Sequence, residues 1–416
     1  MATKTRKLEE FISLSADTPR VVSYVDYFAR KPLFHSLKIK NDADMAVEGL
    51  TLTVTNENGL LAACVKEIEE LPFESTVEVE PLYALSPAYF TTLENSREEK
   101  IVIELKKDKK TVAMQEVTVL ALPFDGWEGL YGNAELIASF VRPKLADPTR
   151  LTSDVAAQLK KWEVSGELGY EGNDKNTVRR TIAALFASIR RYAFTKVDAD
   201  WTTPVLAGAG TRLLAERKAT GLELALLVAA TLEKMNLHPV LAIGEKHVAC
   251  GVWLYDSCFL DTVSDDTARI GEYISEGINN LSFFDIDDLF IGKNAAYSTS
   301  EVHFAQKLKG GSYERYVDIR RCRIARILPL PLKERGAKGY EILKEEDFSF
   351  DAAPTDLTVR KKLSLDTKQT KNKQWERRLL DLSMRNSLLN FRPEKGGVHL
   401  VSVSLDTTFS TLTEKG

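Results

Sequence analysis

The chain has 416 residues, 44% of them hydrophobic and 28% charged, a composition that builds buried cores and leaves room for roughly two to four domains. A disordered chain, a collagen and a coiled coil are excluded. Lys plus Arg number 56 against 60 Asp plus Glu, a formal charge of -4, so no global positive field draws the protein to nucleic acid and any such contact must be local.

The four cysteines, Cys64, Cys250, Cys258 and Cys322, are too few for a disulfide framework and lack the close pairing of a zinc site. They fit a reducing cytoplasm and no metal. No window approaches the roughly 18 to 20 apolar residues of a membrane span, and the start MATKTRKLEEF has no apolar stretch behind its basic residues. The sequence predicts a cytoplasmic protein without membrane contact.

Residues 1–20 read as a tail. From 21 to 122 apolar residues fall on alternate positions: Leu37 and Ile39; Leu50, Leu52 and Val54; Val77 and Val79; Ile101, Ile103 and Leu105; Val117 and Val119. That is the period of half-buried strands. Polar turns such as Asn56-Glu57-Asn58-Gly59 separate them and no long helical pattern intervenes, which predicts an antiparallel, Ig-like β-sandwich. No His, Cys or carboxylate cluster there suggests chemistry.

Pro123-Phe124-Asp125-Gly126-Trp127 breaks the alternation, and a second domain is expected over 123–318. Val155, Leu159 and Trp162, then Val178, Ile182, Leu185, Ile189 and Tyr192, have the spacing of one-sided surface helices. Gly221 to Met235, GLELALLVAATLEKM, is apolar on nearly all faces and so must be enclosed. Pro239 to Ile243 and Val248 to Tyr255 read as buried strands, and helices followed by a sheet predict an α+β domain. Residues 319–373 read as a basic linker and 374–416 as the start of a further, helical domain. The fold class as a whole is α+β multidomain.

Thr220 and Glu223 have capping-box spacing, so the enclosed helix starts at Gly221. A thiol at such a helix start gains from the positive end of the dipole. His247, at the head of the second strand, and Asp261 or Asp256 after it would supply a base and an orienting carboxylate. ATGLELALLVAATLEKMNLHPVLAIGEKHVACGVWLYDSCFLD resembles the core of a transglutaminase-like domain, papain-like in layout. In that family the helix opens with a nucleophilic Cys where this chain has Gly221, while His247 matches the family histidine and Asp261, followed by Thr262, best matches its carboxylate. The resemblance therefore implies a degenerate triad, and loss of one member removes most of a triad's rate enhancement.

A displaced nucleophile, Cys250 or Cys258 with His247, would instead make a cysteine hydrolase or acyltransferase. Alternation along the strand turns Cys250 to the face opposite His247, and Cys258 falls in a turn. Both read more simply as small apolar fillers. His247 has its own structural reading, a histidine held by a backbone carbonyl.

Trp375-Glu376-Arg377-Arg378-Leu379-Leu380-Asp381-Leu382-Ser383, continuing to Phe391, resembles the signature of a domain at the front of very large bacterial superfamily-one helicases. The GWEGL stretch, FVRP and VDIRRCRIARILPLPL are similar to the same leader region. The family places a helicase motor downstream, commonly with a nuclease domain, which implies DNA transactions such as anti-phage or anti-plasmid defence. Lys361, Lys362, Lys368, Lys371, Lys373, Arg377, Arg378 and Arg385 are the residues expected to meet phosphates, in the chain's most basic stretch. A second basic cluster, Arg320, Arg321, Arg323 and Arg326, reads first as a solvated face.

No G-x-x-x-x-G-K-[ST] occurs in the sequence, so this chain has no Walker-type phosphate cradle. Ser404 to Gly416 are too few to finish a domain, which predicts a motor on a continuing or separate chain. The expected protein is non-catalytic and cofactor-free, partnered by downstream helicase and nuclease domains or a subunit, with DNA and a second copy of itself as further partners. Its rivals are the displaced-nucleophile enzyme and a protein scaffold with no nucleic-acid contact.

Overall fold

The computed structural model describes residues 8–331, apart from 165–167, 171–173 and 208–212, together with the backbone of a hairpin at 333–336 and 339–342. The alternating region folds into strands β1 (Ile12–Asp17), β2 (Val21–Val22), β3 (Ser36–Asn41), β4 (Val47–Thr55), β5 (Cys64–Leu71), β6 (Ser75–Glu78), β7 (Arg97–Lys107) and β8 (Lys110–Ala121). They make a three-stranded sheet, β1-β3-β6, and a five-stranded one, β2-β8-β7-β4-β5. All pairings are antiparallel except β2 with β8. Leu37, Ile39, Leu50, Leu52, Val54, Ile101, Ile103 and Leu105 are buried and join one apolar cluster. The period-two reading therefore picks out the inward faces correctly.

Two features depart from expectation. Part of the expected tail, Ile12–Asp17, is a strand paired along its whole length with β3. Two short helices, α1 (Tyr24–Phe28) and α2 (Pro87–Thr92), also interrupt the strands. α1 is set by a capping box in which the Ser23 hydroxyl accepts from the Asp26 amide and the Asp26 carboxylate accepts from the Ser23 amide. Helices this short leave no periodicity to detect.

Beyond residue 123 come α3 (Ala146–Lys161), α4 (Lys175–Arg190) and α5 (Gly221–Lys234). The apolar stripes of α3 and α4 face inward through Val155, Leu159, Val178, Ile182, Leu185 and Ile189, whereas Trp162 lies past the end of α3 and is exposed. α5 is enclosed as its composition requires, with eleven of its residues buried. Both sheets and these helices contribute to the same apolar cluster, so no break between cores marks the expected boundary at 122/123.

A five-stranded antiparallel sheet follows, in the order β11-β13-β9-β10-β12. Its strands are β9 (Pro239–Ile243), β10 (Val248–Trp253), β11 (Val263–Ser264), β12 (Leu281–Asp285) and β13 (Arg315–Asp318). α6 (Thr267–Ile274) and α7 (Tyr297–Lys309) pack beside it. Every residue of β9, β10 and β12 is buried, and the two faces feed different clusters. Val248, Cys250 and Val252 join α5 in the larger one, while Ala249 and Trp253 meet Phe304 and Leu308 of α7 in the smaller one.

The expected linker does not begin at 319. Ile319–Ile324 form α8, in which Ile319, Cys322 and Arg323 are buried, and Ile327 and Leu330 remain in the core. Arg323, expected on a solvated face, turns inward. It meets Glu233 through Nε at 2.8 Å and Nη2 at 2.9 Å, and donates to the carbonyls of Ala138, Val141 and Ile327.

Gly244 closes the turn between β9 and β10 and marks the tightest approach in this sheet. A Cβ there would collide with the Ser312 carbonyl, whose segment is fixed by the Glu314 amide donating to the Ile243 carbonyl at 2.9 Å. Backbone cannot yield as a flexible side chain can, so Gly244→Ala is expected to destabilise by about 3 kcal/mol. Urea unfolding at neutral pH checks this, and a loss below about 0.5 kcal/mol would show that the turn relaxes.

Among the described residues no helix is long and apolar enough to cross a membrane, and no group of three or more His, Cys, Asp and Glu is placed to hold a metal ion.

Candidate functional site

His247 ends the β9–β10 turn, its carbonyl accepting from the Gly244 amide at 2.9 Å. Its imidazole meets the 3-10 turn that follows β12. The Asp285 carboxylate accepts from the Asp287 amide at 2.9 Å and starts that turn, which returns Asp287 to the imidazole. His247 Nδ1 lies 3.1 Å from Asp287 Oδ2 and 2.9 Å from Lys307 Nζ on α7.

Lys307 also reaches Asp287 Oδ2 at 3.0 Å and Asp285 Oδ2 at 2.6 Å, and Lys196 closes the set on Asp287 Oδ1 at 2.7 Å. Two ammonium groups thus balance two carboxylates around one imidazole. His247, Asp285, Asp287 and Lys307 line an open cleft of about 430 Å³, together with Asp288, Lys293, His303 and others. His303 Nδ1 stands 2.9 Å from Asp288 Oδ2.

Burial pushes the Asp287 carboxyl up, but hydrogen bonds and charge from Lys196 and Lys307 outweigh it and hold the group down at about 2. Asp285 moves the other way, raised by burial against the pull of Lys307. Burial disfavours the charged Lys307, yet Asp285 and Asp287 win and raise it.

Nδ1 of a neutral imidazole either donates to Asp287 or accepts from Lys307, never both. In the first tautomer Nε2 offers a lone pair, and in the second it offers a proton. The pair can therefore act as base or as donor, and Asp287 fixes the ring in the way an orienting carboxylate does. Among the described residues no thiol bonds this pair.

Gly221, buried at the start of α5 behind a Thr220–Glu223 capping box, supplies none. Space for a side chain exists: a Cβ would meet only the Trp201 ring, at an ordinary 3.6 Å. Trp201 links the two expected positions, because its Nε1 donates to the Gly244 carbonyl at 2.7 Å in the turn that leads to His247. Glycine stands there without a steric requirement for it.

None of the four thiols hydrogen-bonds the imidazole. Cys250 is wholly buried in the larger apolar cluster, and burial pushes its thiol far up. Cys258 lies in the loop after β10, its thiol raised first by burial and then by the Asp318 charge. Cys322 is buried against the carbonyls of Glu135 and Thr262, and Cys64 belongs to β5. Cys250 and Cys322 are thus buried, while Cys64 and Cys258 are only partly so.

The sequence-based choice of carboxylate is corrected. Asp261 is exposed in a bend and makes no contact with His247, and Asp256 lies 3.6 Å from a different histidine, His238. The carboxylate on His247 is Asp287, reached through β12, the strand paired with β10 from Ala249–Asp285 to Trp253–Leu281. A signal was present in the sequence: the run Asp285, Asp287 and Asp288 directly after two phenylalanines. His247 is likewise held by Asp287 and Lys307 and not by a backbone carbonyl.

The basic residues proposed for phosphate contact, Lys361, Lys362, Lys368, Lys371, Lys373, Arg377, Arg378 and Arg385, lie outside the described residues. The chain matches no protein-family model and no curated protein sequence.

Proposed function

We propose that this chain is the non-catalytic amino-terminal module of a bacterial DNA helicase-nuclease protein. It would carry a β-sandwich and a transglutaminase-like domain emptied of its nucleophile, and serve DNA transactions such as defence against phage or plasmid DNA. The observation that carries the non-catalytic half is the His247–Asp287 pair standing without a thiol, with Gly221 at the helix start and Cys250 sealed in the core. An ordered base and carboxylate with no attacking atom support binding without turnover. The helicase half rests on the Trp375 to Phe391 signature, and the basic stretch around Lys361 to Arg378 supports contact with DNA phosphates.

Thiol alkylation with iodoacetamide at neutral pH tests the first half. Cys250 and Cys322 are expected to stay unmodified until denaturant is added, with Cys64 and Cys258 reacting no faster than simple thiols. Fast modification of Cys250 or Cys258 that disappears in His247→Ala would overturn the assignment and restore a cysteine enzyme. Duplex binding across a salt series tests the second half. Changing Lys361, Lys362, Lys368, Lys371 and Lys373 to Gln should flatten the dependence of log K on log salt by up to about 4. No binding at low salt would leave a protein scaffold instead.

A further inference from the structure

A second cleft, of about 490 Å³, opens in the amino-terminal region between α1 and the segment before α2, lined by Tyr27, Arg30, Lys31, Tyr83 and Leu85. Its volume suits a small ligand or one to two nucleotides. Three features need explaining. Tyr27 is 38% and Tyr83 66% exposed, and neither hydroxyl has a hydrogen-bond partner among the described residues; Tyr27 also packs on the Tyr24 ring, centroids 5.7 Å apart. Arg30 is exposed and its guanidinium has no ion pair among the described residues.

The third feature is the backbone of Arg30. Its φ is +52°, the left-handed conformation that ends a helix, where glycine is the usual residue and a long side chain costs stability. The amides of Arg30 and Lys31 donate to the Tyr27 and Asp26 carbonyls at 3.0 and 2.8 Å, which locks that geometry. Arg217 and Arg326 share this conformation, so it fixes where the Arg30 side chain leaves the end of the helix and does not by itself give it a role. Lys31 is partly neutralised by Glu135 at 3.0 Å, and Asp26 turns its carboxylate onto Ser23. Arg30 is thus the cation left for an incoming anion.

We infer that this cleft holds a nucleobase against the Tyr27 and Tyr83 rings, with Arg30 on the neighbouring phosphate, and that the occupant is a single-stranded nucleic acid. Stacking on tyrosine needs an unpaired base face, which a duplex does not offer, and a planar guanidinium beside it matches a phosphate oxygen pair. An acidic protein gains such contact only where charge is local, and here one free cation adjoins two rings. The inference extends the reading above by a separate surface, so each can fail without the other.

The test uses the full chain and a fluorescent oligothymidylate of about ten nucleotides, followed by anisotropy. Tyr27→Ala and Tyr83→Ala should each weaken binding about ten-fold, and Tyr27→Phe and Tyr83→Phe should retain it, because stacking needs the ring and not the hydroxyl. Arg30→Gly should weaken binding and lower the salt slope by about 1 without lowering the unfolding midpoint, a combination that mere damage to the fold cannot produce. Unchanged binding by the Tyr27→Ala/Tyr83→Ala double variant sinks the inference, as does equal affinity for thymidine monophosphate or for a duplex of the same length. Loss of binding only in the lysine-to-glutamine variant of residues 361–373 would support the basic stretch and remove this cleft.

Discussion

Arg323→Met should lower the free energy of unfolding by about 4 kcal/mol, the largest single-site loss expected in the described unit. The guanidinium is 6% exposed, and its donors meet Glu233 twice and three carbonyls from two separate segments. Methionine replaces the aliphatic stem alone and leaves Glu233 without its countercharge and the Ala138, Val141 and Ile327 carbonyls without these donors. Each unsatisfied buried acceptor costs about 1 to 3 kcal/mol, so the total comes from acceptors left behind more than from the attraction removed. Urea unfolding measures it, with exposed Arg320→Met as the control within about 0.5 kcal/mol of the parent. A loss for Arg323→Met no larger than the control's would mean that water replaces the guanidinium.

Lys307→Met should cost about 3 kcal/mol at pH 7, and the loss should shrink as the solution is acidified. In the parent, Asp287 sits at about 2, below its unfolded value. It therefore contributes stability that is present above the ordinary carboxylate range and is lost as pH falls through about 2. Without Lys307, Asp285 keeps the Asp287 amide but loses its countercharge, so burial and the neighbouring Asp287 charge raise it further. A folded-state value above the unfolded one gives stability that is present in acid and lost as pH rises, the opposite sign. Parent and variant should thus converge toward pH 4, as paired urea titrations at pH 4 and pH 7 can show. A gap of constant size would place the loss in packing of the lysine stem. The same variant removes one of the two partners of His247 Nδ1 and leaves Asp287 alone to choose the tautomer.

The elements that could be read from sequence are those whose signal is local. α5 announces itself through fourteen residues of helical composition and its Thr220–Glu223 box, and β9 and β10 through unbroken apolar runs. β12 is hidden because Leu281–Asp285 sits among weak helical and loop signals. The carboxylate was sought in the residues directly after β10, whereas the sheet delivers it from the strand that β10 pairs with. Which strand pairs with which is settled by tertiary packing, and spacing along the chain does not reveal it. Arg323 illustrates the same limit. Four arginines in seven positions look alike as a charge run, and only the approach of the Ala138–Val141 segment and Glu233 selects one for the interior.

The sheet order β11-β13-β9-β10-β12 has a consequence for synthesis. The strand between β11 and β9, Arg315–Asp318, is the last of the five to leave the ribosome. Until it emerges, Pro239–Ile243 presents an open hydrogen-bonding flank and Val263–Ser264 has no neighbour to join. A nascent chain that has paused near residue 310 therefore exposes a sticky border, open to pairing with other chains until the final insertion.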